Sequence, residues 1–370
     1  MSTSSFVRRA PALMALVSVV SLLLLGACGG HKGSADQPTT FDSVDASIEQ
    51  RIARVGLEGA GLLAVVDGAE LRNRTYGAHT PDTVVPIASA SKWLTAATVM
   101  TLVDDGILSL DDTVARWLPS FTGPSGRATI RQLLSHTSGI AQSSCIWDRS
   151  TTLAACTDSI ARQRAVDEPG TRFAYGNTSY SVAGRIIEVA TGQSFEDAFA
   201  TRMARPVGMV ATTFTDGSRS PTPVPAASAV STLNDYGRFV RMLSADGVID
   251  GRRVLRPSSV RAMEDDAVVG LDTSGDGAVR TTGIGTYGLG VWRDVTGIDD
   301  GSMVSSGNGA YGFYPWVDRA RNAYGVLSVF DQRGSERAVP DSQRQVHAVW
   351  AAIDDATGGY RGPPVTVHGR

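Results

Sequence analysis

Residues 89–103 read Ser-Ala-Ser-Lys-Trp-Leu-Thr-Ala-Ala-Thr-Val-Met-Thr-Leu-Val, with a serine and a lysine three positions apart at the start of a long apolar stretch. The composition predicts a helix from Ser89 to Asp105, ended by Gly106. Because residues i and i+3 share a helix face, Lys92 would lie beside the Ser89 hydroxyl. A serine is a weak nucleophile until a base takes its proton. Burial lowers the pKa of a lysine amine, so the stretch predicts a nucleophilic serine with a buried lysine as its base.

A second candidate motif is Tyr175-Gly176-Asn177, which follows a Pro169-Gly170 turn and precedes a helix predicted from Tyr180 to Thr191. A phenol near a lysine amine can act as a general acid or base. An asparagine amide can hold a substrate carbonyl or orient the lysine. Taken alone, the motif is equally consistent with a packed tyrosine and an asparagine that caps the following helix.

Together, Ser89-x-x-Lys92 and Tyr175-x-Asn177 resemble the motifs of the penicillin-recognising serine hydrolases, and in particular the class C β-lactamase-like branch, which includes D-alanyl-D-alanine peptidases and carboxylesterases. The connecting segments 104–112 and 129–140 are also similar to that family, and the resemblance covers roughly residues 55–329.

The resemblance implies a role for each matching residue. Ser89 would be the acylated nucleophile, and its backbone N–H would be one donor to the oxyanion. Lys92 and Tyr175 would share proton transfer, with either as the base. Asn177 would contact the substrate. His136, in the tight turn Ser135-His136-Thr137-Ser138-Gly139, is expected to be structural rather than catalytic.

The chain departs from the family at a third motif, which is normally Lys-Thr-Gly or His-x-Gly on the strand that lines the site. The corresponding stretch, 304–313, has small residues suited to close backbone approach but no lysine or histidine. Its register is open: Ser305 or Ser306 could occupy the cationic position, and Gly307, Asn308 or Gly309 could supply the second oxyanion N–H. Since the missing cation helps the family bind a carboxylate, its absence favours a neutral ester or amide substrate; the alternative is that a different arginine supplies the charge.

Strand patterns near both ends of the chain enclose a mostly helical middle, which predicts an α+β fold. We expect an antiparallel β-sheet from residues of about 41–80 and 284–356, flanked by helices, with a helical insert over about 81–283. The predicted strands are 61–66, 71–76, 287–291, 312–317 and 323–330, the last two forming a hairpin. Further predicted helices are 41–55, 129–134, 194–203, 235–244, 257–263 and 341–353.

The N-terminus has the features of an export signal. Arg8 and Arg9 precede an apolar run, and Leu25-Gly26-Ala27-Cys28 resembles a bacterial lipobox. We therefore expect a signal peptide at 1–27, lipidation of Cys28, a tether at 28–40 and one hydrolase domain at 41–370. The expected location is the cell envelope, on the outer face of the cytoplasmic membrane or its equivalent. In such an oxidising compartment Cys145 and Cys156 are expected to form a disulfide, although two free thiols are the alternative.

The net charge and two weak motifs give no support for nucleic-acid, dinucleotide or calcium binding. The formal net charge of −3 gives no indication of a nucleic-acid partner. Residues 283–288 fit G-x-G-x-x-G but lack a following helix, so a glycine-rich turn is the better interpretation. The segment 272–277 begins like a calcium loop but lacks the terminal glutamate, and we expect a flexible surface loop. No metal or cofactor is implied.

Three functions remain open. We expect first an exported esterase or amidase that works through an acyl-enzyme on Ser89. The alternatives are a D-alanyl-D-alanine carboxypeptidase or weak β-lactamase acting on cell-wall peptide or β-lactam, and a binding lipoprotein that has lost catalysis.

Overall fold

The computed structural model describes residues 40–148, 150–215, 222–295 and 303–359. The strands, numbered in chain order, are β1 (Gly59–Val66), β2 (Ala69–Gly77), β3 (Val85–Pro86), β4 (Val230–Ser231), β5 (Val248–Ile249), β6 (Arg252–Arg253), β7 (Trp292–Val295), β8 (Met303–Ser306), β9 (Tyr314–Asp318) and β10 (Ala323–Val329). Six of them form an antiparallel sheet in the order β2-β1-β10-β9-β8-β7. The sheet therefore joins the two ends of the chain.

The helices surround this sheet. They are α1 (Phe41–Val55), α2 (Ser91–Asp104), α3 (Val114–Trp117), α4 (Gly123–Arg127), α5 (Ile130–Leu134), α6 (Leu153–Ala161), α7 (Thr178–Thr191), α8 (Phe195–Phe199), α9 (Arg205–Val207), α10 (Leu233–Ser244), α11 (Pro257–Glu264), α12 (Gly277–Thr282) and α13 (Ser335–Thr357). Residues 200–204 continue α8 into α9 with one wider helical turn.

Alternation along β1 sets the two layers of the core. Every residue of β1 is buried, and successive side chains point to opposite faces of a strand. Leu62 and Ala64 pack in a cluster with residues of α1 and α13. Leu63 and Val65 face the other way, into the large cluster that contains Trp93 of α2. Helix α2 is thereby held in the interior, which fixes the position of the residues at its start.

The predicted fold class is confirmed: the structure is α+β, with an antiparallel sheet between helices. The predicted hairpin between residues 312 and 330 is present, with Ala323 paired with Asp318. The predicted strand 287–291 is wrong. This segment is a turn in which Gly290 has φ 81° and approaches α2 so closely that an added Cβ would lie 2.7 Å from the Lys92 carbonyl oxygen. The strand begins only at Trp292.

The last helix also differs from its prediction. It begins at Ser335, six residues before the expected start, and carries Pro340 inside it. Proline removes one helical N–H, which makes a start just after it the simpler expectation from sequence. In the structure α13 tolerates the proline because its buried face packs on the sheet through residues such as Val346 and Trp350.

The cysteine loop lies next to α6. The Cys145 and Cys156 sulfurs are bonded to each other, with 5.5 Å between the Cα atoms. The predicted signal peptide, Cys28 and all of the tether before Thr40 lie outside the described residues. Within the part of the chain that the structure describes, no helix is both long and apolar enough to cross a membrane.

Candidate active site

Ser89 lies in a short 3₁₀ turn, Ala88–Ala90, that leads directly into α2. The residue before it, Ala88, has φ 46°, in the left-handed region that a non-glycine residue rarely adopts. Such backbone conformations persist where the surrounding structure imposes them and are common at functional sites. Ser89 is partly exposed, whereas Ser91 and Lys92 are fully buried. The turn therefore presents the serine hydroxyl at the surface of a rigid core.

Lys92 is buried with its amine at the centre of a polar cluster. Its Nζ lies 3.1 Å from Ser89 Oγ, 2.8 Å from Asn177 Oδ1 and 3.2 Å from the Ala226 carbonyl oxygen. No carboxylate is among these contacts. Burial lowers the pKa of Lys92 to about 7, because a charged amine is poorly solvated there. Near neutral pH a large fraction of the amine is therefore unprotonated.

The contacts of the Lys92 amine also determine which hydrogen bonds it donates and which it accepts. Asn177 Oδ1 and the Ala226 carbonyl oxygen can only accept hydrogen bonds. A neutral amine has two N–H groups and one lone pair, so donating to both acceptors leaves the lone pair for the third neighbour, Ser89 Oγ. In this state the Ser89 hydroxyl donates to Lys92. This is the arrangement that a general base needs.

Tyr175 closes the site from the loop before α7. The Lys92 Nζ lies 4.7 Å from the centre of its ring, and Trp292 stacks on the ring at 5.0 Å. Its backbone N–H donates to the Asp276 carboxylate at 2.9 Å. Burial raises the pKa of the Tyr175 phenol above its usual range, and a hydrogen bond that Ser89 would donate to the phenolate form acts in the opposite direction. The phenol is therefore neutral at physiological pH and can donate a proton.

Asn177 does not cap α7 with its side chain. Its Oδ1 accepts from Lys92, and its backbone N–H donates to Gln142 Oε1 at 3.2 Å. The Gln142 oxygen also accepts from the hydroxyl of Thr178. Gln142 thus holds the loop that carries Tyr175 and Asn177.

His136 packs against the Tyr175 ring. It has φ 60°, and its ring lies 4.4 Å from the Tyr175 ring. Its Nδ1 accepts from the Gly176 N–H at 3.4 Å. Burial, together with the Lys92 charge, lowers its pKa well below the usual value. His136 is held neutral in contact with the loop and makes no contact with Ser89.

The five candidates in the third motif, residues 305–309, differ in whether they can contact a substrate beside Ser89. Ser305 and Ser306 lie on β8, and neither lines the cavity beside Ser89. The N–H groups of Gly307 and Gly309 donate to the carbonyl oxygens of Pro315 and Phe313, respectively. Among the described residues no acceptor meets the Asn308 N–H, and Asn308 lines the cavity. Of these five candidates, Asn308 is therefore the one whose N–H is available to a substrate.

A cavity of about 360 Å³ opens beside Ser89. Its lining combines Ser89 and Tyr175 with residues of β7, α12, the segment after β8 and the start of α13. The residues are Ser89, Tyr175, Gly277, Ala278, Thr281, Thr282, Trp292, Asn308, Ala310, Ser335, Glu336 and Val339. Among the described residues, this lining contains no lysine, arginine or histidine.

Sequence reasoning missed several residues that build the site. The prediction of a flexible surface loop at 272–277 is wrong at the end of the segment. There Asp276 caps α12, and this helix lines the cavity. The same carboxylate holds Tyr175. Trp292 and Gln142 were also missed. A lone glutamine or tryptophan carries no motif, so only the three-dimensional contacts identify these residues.

Comparison with known proteins gives the family. The model of the β-lactamase family matches residues 44–349, and the chain therefore belongs to that family of β-lactamase and transpeptidase-like serine hydrolases. It is similar to penicillin-binding protein 4 of Amycolatopsis lactamdurans, at 34% identity over 255 residues, which are 58% of this chain and 67% of that protein.

Two further similarities agree. The chain is 30% identical over 187 residues to the protein flp of Staphylococcus aureus, but this match spans only 46% of the chain and 38% of flp. A solved structure of a candidate β-lactamase from Bacteroides dorei superposes with a TM-score of 0.74 at 33% identity, covering 83% of this chain and 97% of that one.

Proposed function

We propose that this protein hydrolyses esters or amides through an acyl-enzyme on Ser89, with Lys92 as the base that activates it. The observation that carries the proposal is the Lys92 amine, which is buried, has a pKa of about 7 and lies 3.1 Å from Ser89 Oγ. Its two other neighbours accept its N–H groups and leave the lone pair for the serine.

The proposed steps follow from these contacts. Ser89 Oγ attacks the substrate carbonyl carbon while its proton passes to Lys92 Nζ. The carbonyl oxygen becomes an oxyanion, which the N–H groups of Ser89 and Asn308 stabilise. Collapse of this intermediate breaks the bond to the leaving group, which takes a proton from Lys92 or from the neutral Tyr175 phenol. Where the phenol gives the proton, Lys92 passes its own proton to the phenolate, so that Lys92 is again neutral. Water then attacks the acyl-enzyme with the same base, releases the acid and restores Ser89.

The cavity supports a substrate without a carboxylate beside the scissile bond. No cation lines the described cavity, while Glu336 adds a negative group at its edge. Binding a carboxylate normally requires arginine or lysine. A second candidate function, D-alanyl-D-alanine carboxypeptidase, is favoured by the similarity to penicillin-binding protein 4. We place it second because its substrate ends in a carboxylate.

The test compares the full chain with its Ser89→Ala variant on three substrates: p-nitrophenyl butyrate, a chromogenic cephalosporin and a D-Ala-D-Ala peptide. We expect ester turnover that is lost in the variant, with far slower reaction of the other two. Dominant peptide release that Ser89→Ala abolishes would support the carboxypeptidase instead. If a serine-reactive fluorophosphonate fails to label the folded protein, the binding-protein alternative replaces the enzyme.

We also propose that the protein is exported and anchored through lipid at Cys28, a cysteine in the lipobox-like Leu25-Gly26-Ala27-Cys28. Incorporation of labelled palmitate in a bacterial host tests this. The label should be present in the wild type and absent from Cys28→Ala. Equal labelling of the two proteins would contradict the anchor.

A further inference from the structure

Charge is distributed unevenly around the cavity beside Ser89. Of the lining residues in the described structure, Glu336 is the one whose side chain is charged at neutral pH. It lies in the first turn of α13 and is exposed to solvent. Within the described contacts its carboxylate has neither an ion pair nor a hydrogen bond.

Two neighbouring arginines donate to other groups: Arg333 to Asp331 and Asp341, and Arg280 of α12 to the Gly275 carbonyl oxygen at 2.6 Å. Arg337, the next residue after Glu336, is exposed and does not line the cavity. Within the described lining, no basic side chain therefore lies beside the Glu336 carboxylate.

A second observation concerns the wall of the cavity beside Ser89. Asn308 lines this wall, and its backbone N–H meets no acceptor among the described residues. Its side-chain amide is buried, with both polar atoms closed to the cavity, and interacts with the Tyr314 hydroxyl. The N–H of Asn308, rather than its side chain, is therefore the group that can bind a substrate.

We propose that Glu336 makes this enzyme selective for substrates that carry a positively charged amine near the scissile ester or amide. The inference rests on the proposed function, since it assumes turnover at Ser89, and it deepens that function by naming the substrate class. The amine lies against the Glu336 carboxylate, while the Asn308 N–H holds the reacting carbonyl oxygen. Glu336 acts on binding alone and takes no part in proton transfer.

A structural role for Glu336 makes a different prediction. An acidic side chain in the first turn of a helix interacts favourably with the helix dipole. If that were its role, replacing Glu336 would change the unfolding temperature of the protein. It would leave the ratio of kcat/KM for charged and uncharged substrates unchanged. The ratio of rates within one variant therefore separates the two roles.

The experiment uses the full chain and two series of chromogenic esters of matched length. In the first, the acyl chain of a p-nitrophenyl ester ends in an ammonium, a methyl or a carboxylate group. In the second, the charge is on the leaving group, as in aryl acetates with trimethylammonium, tert-butyl or carboxylate substituents. Each kcat/KM is measured for the wild type, Glu336→Gln and Glu336→Lys, with Arg337→Gln as the control for a neighbouring charge and Ser89→Ala as the blank.

In at least one series we expect the wild type to prefer the cationic over the uncharged ester by about fivefold, the upper range for an exposed ion pair. The preference should fall toward one in Glu336→Gln, reverse in Glu336→Lys and weaken as ionic strength rises. Arg337→Gln should keep it.

Equal ratios in the wild type and Glu336→Gln for both series would overturn the inference while leaving the proposed hydrolase intact. Turnover that survives in Ser89→Ala would instead overturn the proposed function.

Discussion

Replacing Asn177 with aspartate places a carboxylate where the amide oxygen now lies, 2.8 Å from Lys92 Nζ. In the wild type the pKa of Lys92 is lowered to about 7 by burial, with no negative group to oppose it. Two unit charges about 4 Å apart attract by roughly 4 kcal/mol at the effective dielectric constant of protein sites, which is about three pKa units. Burial of the new carboxylate offsets part of this. We therefore expect the pKa of Lys92 to rise to about 9 or above.

The assay is the pH dependence of kcat/KM for p-nitrophenyl butyrate, corrected for spontaneous hydrolysis. The wild-type rate should rise through an apparent pKa near 7 as Lys92 loses its proton. In Asn177→Asp the rise should move up by about two units, which lowers the rate at pH 7.5 by about 25-fold and restores much of it near pH 10. Asn177→Ala is the matched control: it should lower the rate but leave the rise near pH 7. If the wild type and Asn177→Asp share one rise, Lys92 is not the titrating base.

Four further changes have defined outcomes. Lys92→Met should be inactive yet more stable at pH 7 by as much as about 4 kcal/mol, because folding lowers the Lys92 pKa from 10.5 to about 7; this gain should shrink as pH rises from 7 toward 10.5, measured by urea unfolding. Tyr175→Phe keeps the ring stack but loses the phenol, and its kcat should fall by about 10²- to 10⁴-fold; an unchanged kcat would remove Tyr175 from proton transfer. Replacing Cys145 and Cys156, which are 11 positions apart, by serine removes the bridge and should lower the free energy of unfolding by about 3 kcal/mol; equal denaturant midpoints would show that the bridge does not stabilise the fold. Gly290→Ala should lower the unfolding temperature and slow acylation, since its Cβ would meet the Lys92 carbonyl oxygen at φ 81°; full activity would show that α2 can shift without loss.

The sequence predicted those parts of the fold where the local pattern and the tertiary environment agree. Helix α1 occupies the predicted residues 41–55, and the hairpin of β9 and β10 has the predicted turn. The strand predicted at 287–291 failed because Gly288 and Gly290 serve close backbone approach to neighbouring segments. That contact lies across the fold and leaves no local pattern.

In the candidate site, too, the residues set by local sequence could be predicted and those set by contacts across the fold could not. Ser89 and Lys92 could be predicted because three positions on one helix fix their proximity, and the structure places them 3.1 Å apart. The open register of the third motif could not be resolved from spacing, since three successive residues offer N–H groups. Only the hydrogen bonds of Gly307 and Gly309 to β9 and its neighbour leave Asn308 for the substrate. Glu336 had no motif at all, because α13 brings it to the cavity from almost 250 residues away in the chain.

The most direct test of the central claim is the mass of the covalent intermediate. The full chain would be mixed with p-nitrophenyl butyrate, quenched in acid within milliseconds, and digested for peptide mass spectrometry beside Ser89→Ala. We expect one butyryl group on Ser89, formed more slowly below pH 7 and absent from the variant. A butyryl group on any other residue, or ester turnover with no trapped acyl group and undiminished rate in Ser89→Ala, would contradict it.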